Sequence, residues 1–135
     1  MPSHLRLRTF LWFNGTLDEV LPFYQGIFGD GLVVNGSNRN PETGSLFTAD
    51  VSILGHEFIM MNWPGGPEFN EAISLSIETD GQAETDRLWE ALTREGKEGQ
   101  CGWCTDPFGV TWQVSPKQMR DWLEHADPAT RAYAD

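Results

Sequence analysis

The chain is short of positive charge. It carries 9 Lys and Arg against 20 Asp and Glu in 135 residues, a formal net charge of −11. A duplex-binding surface needs a basic face to release counterions, and no Lys/Arg cluster occurs. The same deficit argues against an anionic membrane surface, so neither nucleic acid nor membrane is expected as a partner. Long apolar runs are missing too, none approaching the roughly 20 residues of a spanning helix. The opening MPSHLRLRTFLWF has two arginines but only a short apolar stretch and no small-residue cleavage site. Two cysteines are too few for a disulfide scaffold, which makes a cytoplasmic protein with reduced thiols the expectation.

Signatures of known chemistry are equally sparse. The histidines His4, His56 and His125 share no helix face and no H-x-H or H-x-E spacing, so they offer no ligand pair for a metal. Glu42, Glu57, Glu68, Glu71 and Glu78 fall in or near loops, where a solvated role is expected. There is no G-x-G-x-x-G after a strand, no P-loop and no G-x-S-x-G. Gly65-Gly66 between prolines is a bend with no helix to aim at a phosphate. No nucleotide or adenosyl cofactor is expected.

What the chain does have is a pattern stated twice. Leu5 to Phe13 reads as a strand stopped by Asn14-Gly15. Asn14 or Thr16 can then cap a helix in which Leu17, Val20, Leu21, Phe23, Tyr24, Ile27 and Phe28 recur at helical spacing. Pro22 inside it predicts a kink or a restart. A short strand, Leu32 to Val34, precedes a loop from Asn35 to Gly44. A hairpin of Leu46–Leu54 and Glu57–Trp63 follows, and Pro64-Gly65-Gly66-Pro67 ends it as a linker. The order then repeats: strand Ala72–Glu78, turn Asp80-Gly81, helix Ala83–Glu95 with Leu88, Trp89 and Leu92 inward, and a hairpin around Asp106 to Gly109. Pro116 opens a last amphipathic helix carrying Met119, Trp122 and Leu123. Phe23-Tyr24 and Leu88-Trp89 stand 65 residues apart, as expected of an internal repeat.

The stretch CGWCTDPFGVTWQVSP, 101–116, looks at first like a dithiol redox site. A reactive Cys commonly gains its low pKa from a helix starting behind it, and here a turn and a strand follow Cys104. On one strand, i,i+3 spacing would send Cys101 and Cys104 to opposite faces about 10 Å apart, too far for a disulfide. Two small packed thiols are the better reading.

Taken together, FLWFNGTLDEVLPFYQGIF (10–28), GGPEFNEAISLSIETD (65–80) and GWCTDPFGVTWQVSP resemble the PhnB-like branch of the vicinal oxygen chelate superfamily, the glyoxalase/bleomycin-resistance/dioxygenase fold. That branch carries the label "3-demethylubiquinone-9 3-methyltransferase-like". The resemblance spans Leu5 to Pro116 and implies an α+β chain of two βαβββ modules, 5–63 and 71–115, joined by a 64–70 linker. Their curved mixed sheets would face each other around a cavity, a helical tail would occupy 116–135, and homodimerisation is expected. The loop at Asn35–Gly44 is short for the family and the tail stops at Asp135, which leaves its part in a dimer open.

Metal ligands of the superfamily would map to Arg8 or Thr9, Ile59 or Met60, Ala72 or Ile73, and Gln113. One neutral amide cannot hold a divalent cation, so a metal-free site without catalytic residues is expected. Alternation puts Thr111 and Gln113 on one face of the last strand, with Trp112 and Val114 on the other. Thr9, Leu11 and Phe13 are expected to look into the same space, with Met60, Ser74 and Ser76 as further candidates. The result would be an apolar small-molecule pocket with a few hydroxyls and one amide, its ligand unidentified. Leu11, Phe13 and Met60 read more readily as plain core than as pocket wall, and Trp12 and Trp112 as structural residues packing helices against the sheets, each indole N–H needing a partner. The competing functions are a metal-dependent isomerase, lyase or dioxygenase, a methyltransferase as the family label suggests, and a dithiol enzyme.

Overall fold

The computed structural model describes residues 4–117, so the helix expected from Pro116 onward, with Met119, Trp122 and Leu123, lies outside the described residues. The chain divides into two compact units, Met1–Glu68 and Phe69–Asp135.

In the first unit, strand β1 (Thr9–Phe13) leads into helix α1 (Leu17–Phe28). A 3-10 turn over Gly29–Gly31 then precedes β2 (Leu32–Arg39), β3 (Leu46–Ile53) and β4 (His56–Asn62). The sheet order is β1-β4-β3-β2, with β1 parallel to β4 and the other pairs antiparallel. The helix forms as its periodicity demands: Leu17, Val20, Tyr24 and Ile27 are buried along one stripe, and the helix runs unbroken through an exposed Pro22. Thr16 stands at the cap position without a side-chain bond. The start of α1 is tied to the sheet instead. Asn62 on β4 accepts the Leu17 N–H at 3.4 Å and donates to Leu46 O at 3.0 Å, while Asp18 accepts the Leu46 N–H at 3.2 Å.

β2 is longer than its sequence suggests. Asn35 to Arg39 were expected in a loop, yet they continue the strand, with register shifts at Val34/Gly36 and Asn38/Arg39. Asn35 donates to Ser52 Oγ and Asn38 to Thr48 Oγ1, both at 3.0 Å, so the polar composition is used in cross-strand bonds.

The second unit repeats the plan. It comprises β5 (Leu75–Thr79), α2 (Gln82–Thr93), β6 (Lys97–Glu98), β7 (Trp103–Thr105) and β8 (Thr111–Pro116). The order is β5-β8-β7-β6, and β5 again runs parallel to the last strand. Leu88 and Leu92 of α2 are buried and Trp89 is half-buried, its indole donating to Glu98 at 2.9 Å. Both units are therefore βαβββ, and the architecture is α+β. No helix among the described residues is long and apolar enough to cross a membrane.

Candidate functional site

Strand register decides which side chains share a face. In the first sheet, Leu11, Met60 and Ala49 form one row across β1, β4 and β3, and Thr9, Phe58 and Val51 form another. These rows lie on the α1 side, because Asn62, two residues beyond Met60, is the residue that holds the helix start. Leu11, Phe13 and Met60 are accordingly core, Met60 with no exposed surface at all. Thr9 shares that side and bonds His56 Nε2 at 2.9 Å. The expectation that Thr9, Leu11, Phe13 and Met60 face a ligand meets a different arrangement: Leu11, Phe13 and Met60 are buried on the helix side, and Thr9 is half-buried on that same side.

The opposite, open face carries the other phase. Phe10, Ile59 and Asp50 form a row, followed by Trp12, Met61 and Thr48. Trp12 was expected to pack a helix against the sheet; it lies instead beneath the linker. Its indole donates to Trp63 O at 2.7 Å. A Cβ on Gly66 would stand 2.3 Å from its Cε2. Asn14 fastens the same segment, donating to Pro67 O at 3.1 Å and accepting the Gly66 N–H.

In the second sheet the expected alternation holds. Trp112 and Val114 are buried on the α2 side with Ile77 and Cys104. Ser76, Gln113 and Trp103 form a row on the open face. Gln113 is half-buried, and its Nε2 donates to Ser74 Oγ at 2.7 Å. Ser76 is exposed and Thr111 is 5% exposed. The structure therefore brings Gln113, Ser74, Ser76 and Thr111 to one face and adds Trp103 to them.

Asp106 fixes this strand, a role that the sequence reading missed. Its Oδ1 accepts the N–H groups of Phe108 at 2.9 Å and Val110 at 3.1 Å, and its Oδ2 accepts the Trp112 indole N–H at 2.8 Å. One buried carboxylate thus shapes the turn and sets the rotamer of the residue before Gln113. The D-x-F-G-x-T-W-Q spacing was the signal available for it.

The two cysteines are free, Cys101 exposed and Cys104 buried. Cys101 lies in the turn at φ +56° and not on a strand with Cys104, which corrects the single-strand picture. Burial, aided by the Asp106 charge, raises the Cys104 thiol to about 11, the opposite of what a nucleophile requires.

Of the positions where a metal would be held, Arg8, Ile59 and Gln113 point away from the helices, Thr9 and Met60 point toward them, and Ala72 and Ile73 are exposed ahead of β5. A guanidinium, an alkyl group and an amide do not form a donor set for a divalent cation. Among the described residues no group of three His, Cys, Asp or Glu could hold one either. A shallow depression of about 300 Å³ opens beside α1, lined by Asp18, Leu21, Pro22, Gln25, Arg39 and Leu46. Arg39 is held there by Gly44 O at 2.8 Å and by Asp18 at 3.5 Å.

Two βαβββ units, each with its first strand parallel to its last, give the chain the fold of the PhnB-like proteins of the vicinal oxygen chelate superfamily. The chain belongs to the family described as 3-demethylubiquinone-9 3-methyltransferase, whose model matches residues 6–115. Among solved structures, a PhnB protein from Bacillus cereus is 24% identical with a TM-score of 0.70, the match covering 82% of this chain and 98% of that one. PA1353 from Pseudomonas aeruginosa is 21% identical at a TM-score of 0.62, covering 83% and 98%. The fosfomycin resistance protein FosX from Listeria monocytogenes is 20% identical at 0.64, covering 91% and 98%. No curated protein matches the sequence.

Proposed function

We propose that this chain binds a small molecule on the open face of its second sheet, through Gln113 and its neighbours, without a resident metal. The observation that carries the reading is the Gln113–Ser74 bond. It holds an amide in a fixed pose on a face where Ser76 and Trp103 flank it in register. A half-buried amide of set orientation, a hydroxyl and an indole form a small recognition surface, able to donate, accept and stack. Glutamine cannot act as a general acid or base near neutral pH, so the arrangement suits binding rather than proton transfer.

The likeness to FosX, which is seen elsewhere with Mn(II), favours the second reading, a metal-dependent enzyme of the same superfamily. The donor set Arg8, Ile59 and Gln113 weighs against it. A methyltransferase, which the family description suggests, needs an adenosylmethionine site, and among the described residues no strand runs through a Gly-rich loop into a helix to supply one. A homodimer and a reducing, cytoplasmic setting accompany the reading. Exposed Leu5 and Leu7 support the first, and two free cysteines the second.

A thermal-shift screen of sugars, quinones, phosphonates and antibiotics tests the proposal. A ligand at a hundredfold excess over Kd stabilises by about 2.7 kcal/mol, a shift of several degrees. The expected result is at least one compound that shifts wild type and not Gln113→Leu. Stoichiometric Zn, Fe or Mn in the purified protein, lost in Gln113→Ala, would transfer the case to the enzyme.

A further inference from the structure

The open face of the first sheet carries two arginines with unlike surroundings. Arg6 is matched: its Nε donates to Glu57 Oε2 at 3.2 Å and its Nη2 to Oε1. That bond holds the Glu57 carboxyl below its ordinary range and raises the arginine. Arg8 is not matched in this way. Its side chain is only 24% exposed, and it meets Asp50, 52% exposed, at a loose 3.5 Å, beyond ordinary N–H···O length.

The register locates the Arg8 guanidinium. Arg8 precedes β1, Asp50 lies on β3, and β4 runs between them. The side chain therefore crosses β4 on the open face, and its charge lies over the middle of the sheet. Phe10, two residues on and 53% exposed, shares that face with Ile59 and Asp50 in one row. A guanidinium presents five donors, and a single loose ion pair leaves most of that capacity for another planar anion.

We infer that Arg8, with Phe10 and Ile59, forms a binding site for a small organic anion that has a flat or apolar body. The charge would sit on Arg8 in place of Asp50, and the body against Phe10, about 7 Å along the strand. One cation beside an aromatic ring and an isoleucine suits a compact monoanion; a nucleic-acid backbone requires a run of cations. Glu57 also feels the Arg8 charge, but its carboxylate is bonded to Arg6, so Asp50 is the group that the ligand displaces. The inference does not rest on the Gln113 reading.

The test is a ¹H–¹⁵N NMR titration with 3-phenylpropionate and its neutral amide, 3-phenylpropanamide, reading the Arg8 Nε–Hε and Phe10 amide signals. The acid is expected to shift both signals and to bind at least tenfold more tightly than the amide. Arg8→Gln should weaken the acid by about tenfold or more, since a charge-assisted bond is lost. Asp50→Asn should strengthen it several-fold by removing the competing carboxylate, a change of sign that a merely structural role for the pair does not produce. Equal binding of acid and amide, retained acid binding in Arg8→Gln, weaker binding in Asp50→Asn, or no movement of the Arg8 signal would each overturn the inference. None of these results bears on the Gln113 reading, which is tested by Gln113→Leu.

Discussion

Removing the Asp106 carboxylate should be among the most damaging single changes to the second unit. Asp106 is 3% exposed and accepts three N–H groups, of which those of Val110 and Trp112 are buried. Asp106→Ala strands the two buried donors at about 1–3 kcal/mol each, while water can reach the half-buried Phe108 N–H. The expected loss is about 3–5 kcal/mol, a large share of the roughly 5–15 kcal/mol that a domain possesses. Asp106→Asn keeps an oxygen for the two backbone groups but turns an NH₂ toward the indole, so about 1.5–3 kcal/mol should go. Urea unfolding followed by far-UV circular dichroism gives these values from midpoint and slope. A cycle with Trp112→Phe then isolates the indole bond: Asp106→Asn should be milder in the Phe background, where no donor faces the new amide. A loss below about 1 kcal/mol for Asp106→Ala would refute the account. An Asp106→Asn effect unchanged by Trp112→Phe would refute the part assigned to the indole.

The remaining expectations follow from burial and close approach. Cys104 has its folded pKa raised from 9.0 to about 11, so the native state holds its proton more tightly than the unfolded chain does. That contribution is complete below pH 9, falls as pH rises toward 11, and amounts to about 2–3 kcal/mol; Cys104→Ala should flatten the alkaline limb of the stability curve. In the native protein a disulfide-exchange reagent should label exposed Cys101 quickly and Cys104 only on unfolding, and equal rates would contradict the burial. Gly96→Ala would set a Cβ 2.1 Å from Thr105 O and 2.8 Å from Leu92 O, both backbone atoms, so about 3 kcal/mol should be lost in urea unfolding. Gly15→Ala meets nothing within 4 Å but has φ +85°, and backbone strain alone should cost it about 1 kcal/mol.

Much of the fold was legible because two periods are hard to imitate. The stripe Leu17, Val20, Tyr24, Ile27 could only be a helix face, and it is the buried face of α1. The alternation around Gln113 placed Trp112 and Val114 on one side and Gln113 on the other, as found. β2 was hidden for a physical reason. Val33 to Arg39 are all exposed, and the strand pairs only with β3, so no buried face imposes a hydrophobic pattern on it. β6 has two residues, too few to show any period. The Asp106 bonds were only hinted at: the D-x-F-G-x-T-W-Q spacing marks a turn with an acid at its start, but it does not show which donors the carboxylate gathers.

The phase of the first strand is the feature that the internal repeat leaves least legible, and the turns show why. α1 begins at Leu17 and α2 at Gln82, an offset of 65 residues that also separates Phe23-Tyr24 from Leu88-Trp89. The strands do not obey it. β1 begins at Thr9 and β5 at Leu75, an offset of 66, because Asn14–Thr16 joins β1 to α1 where only Asp80-Gly81 joins β5 to α2. Carrying 65 into the strands pairs Ser76 with Leu11 and swaps core for open face, since a shift of one residue reverses every side chain. With 66, Ser76 pairs with Phe10 and Ser74 with Arg8. These last two residues immediately precede the first strand of their units, and each reaches toward the strands beyond, Ser74 to Gln113 on β8 and Arg8 over β4 to Asp50. The repeat thus sets a polar side chain at the same point of both sheets, neutral in one and cationic in the other. That asymmetry is the physical basis for expecting the two open faces to recognise different chemical groups.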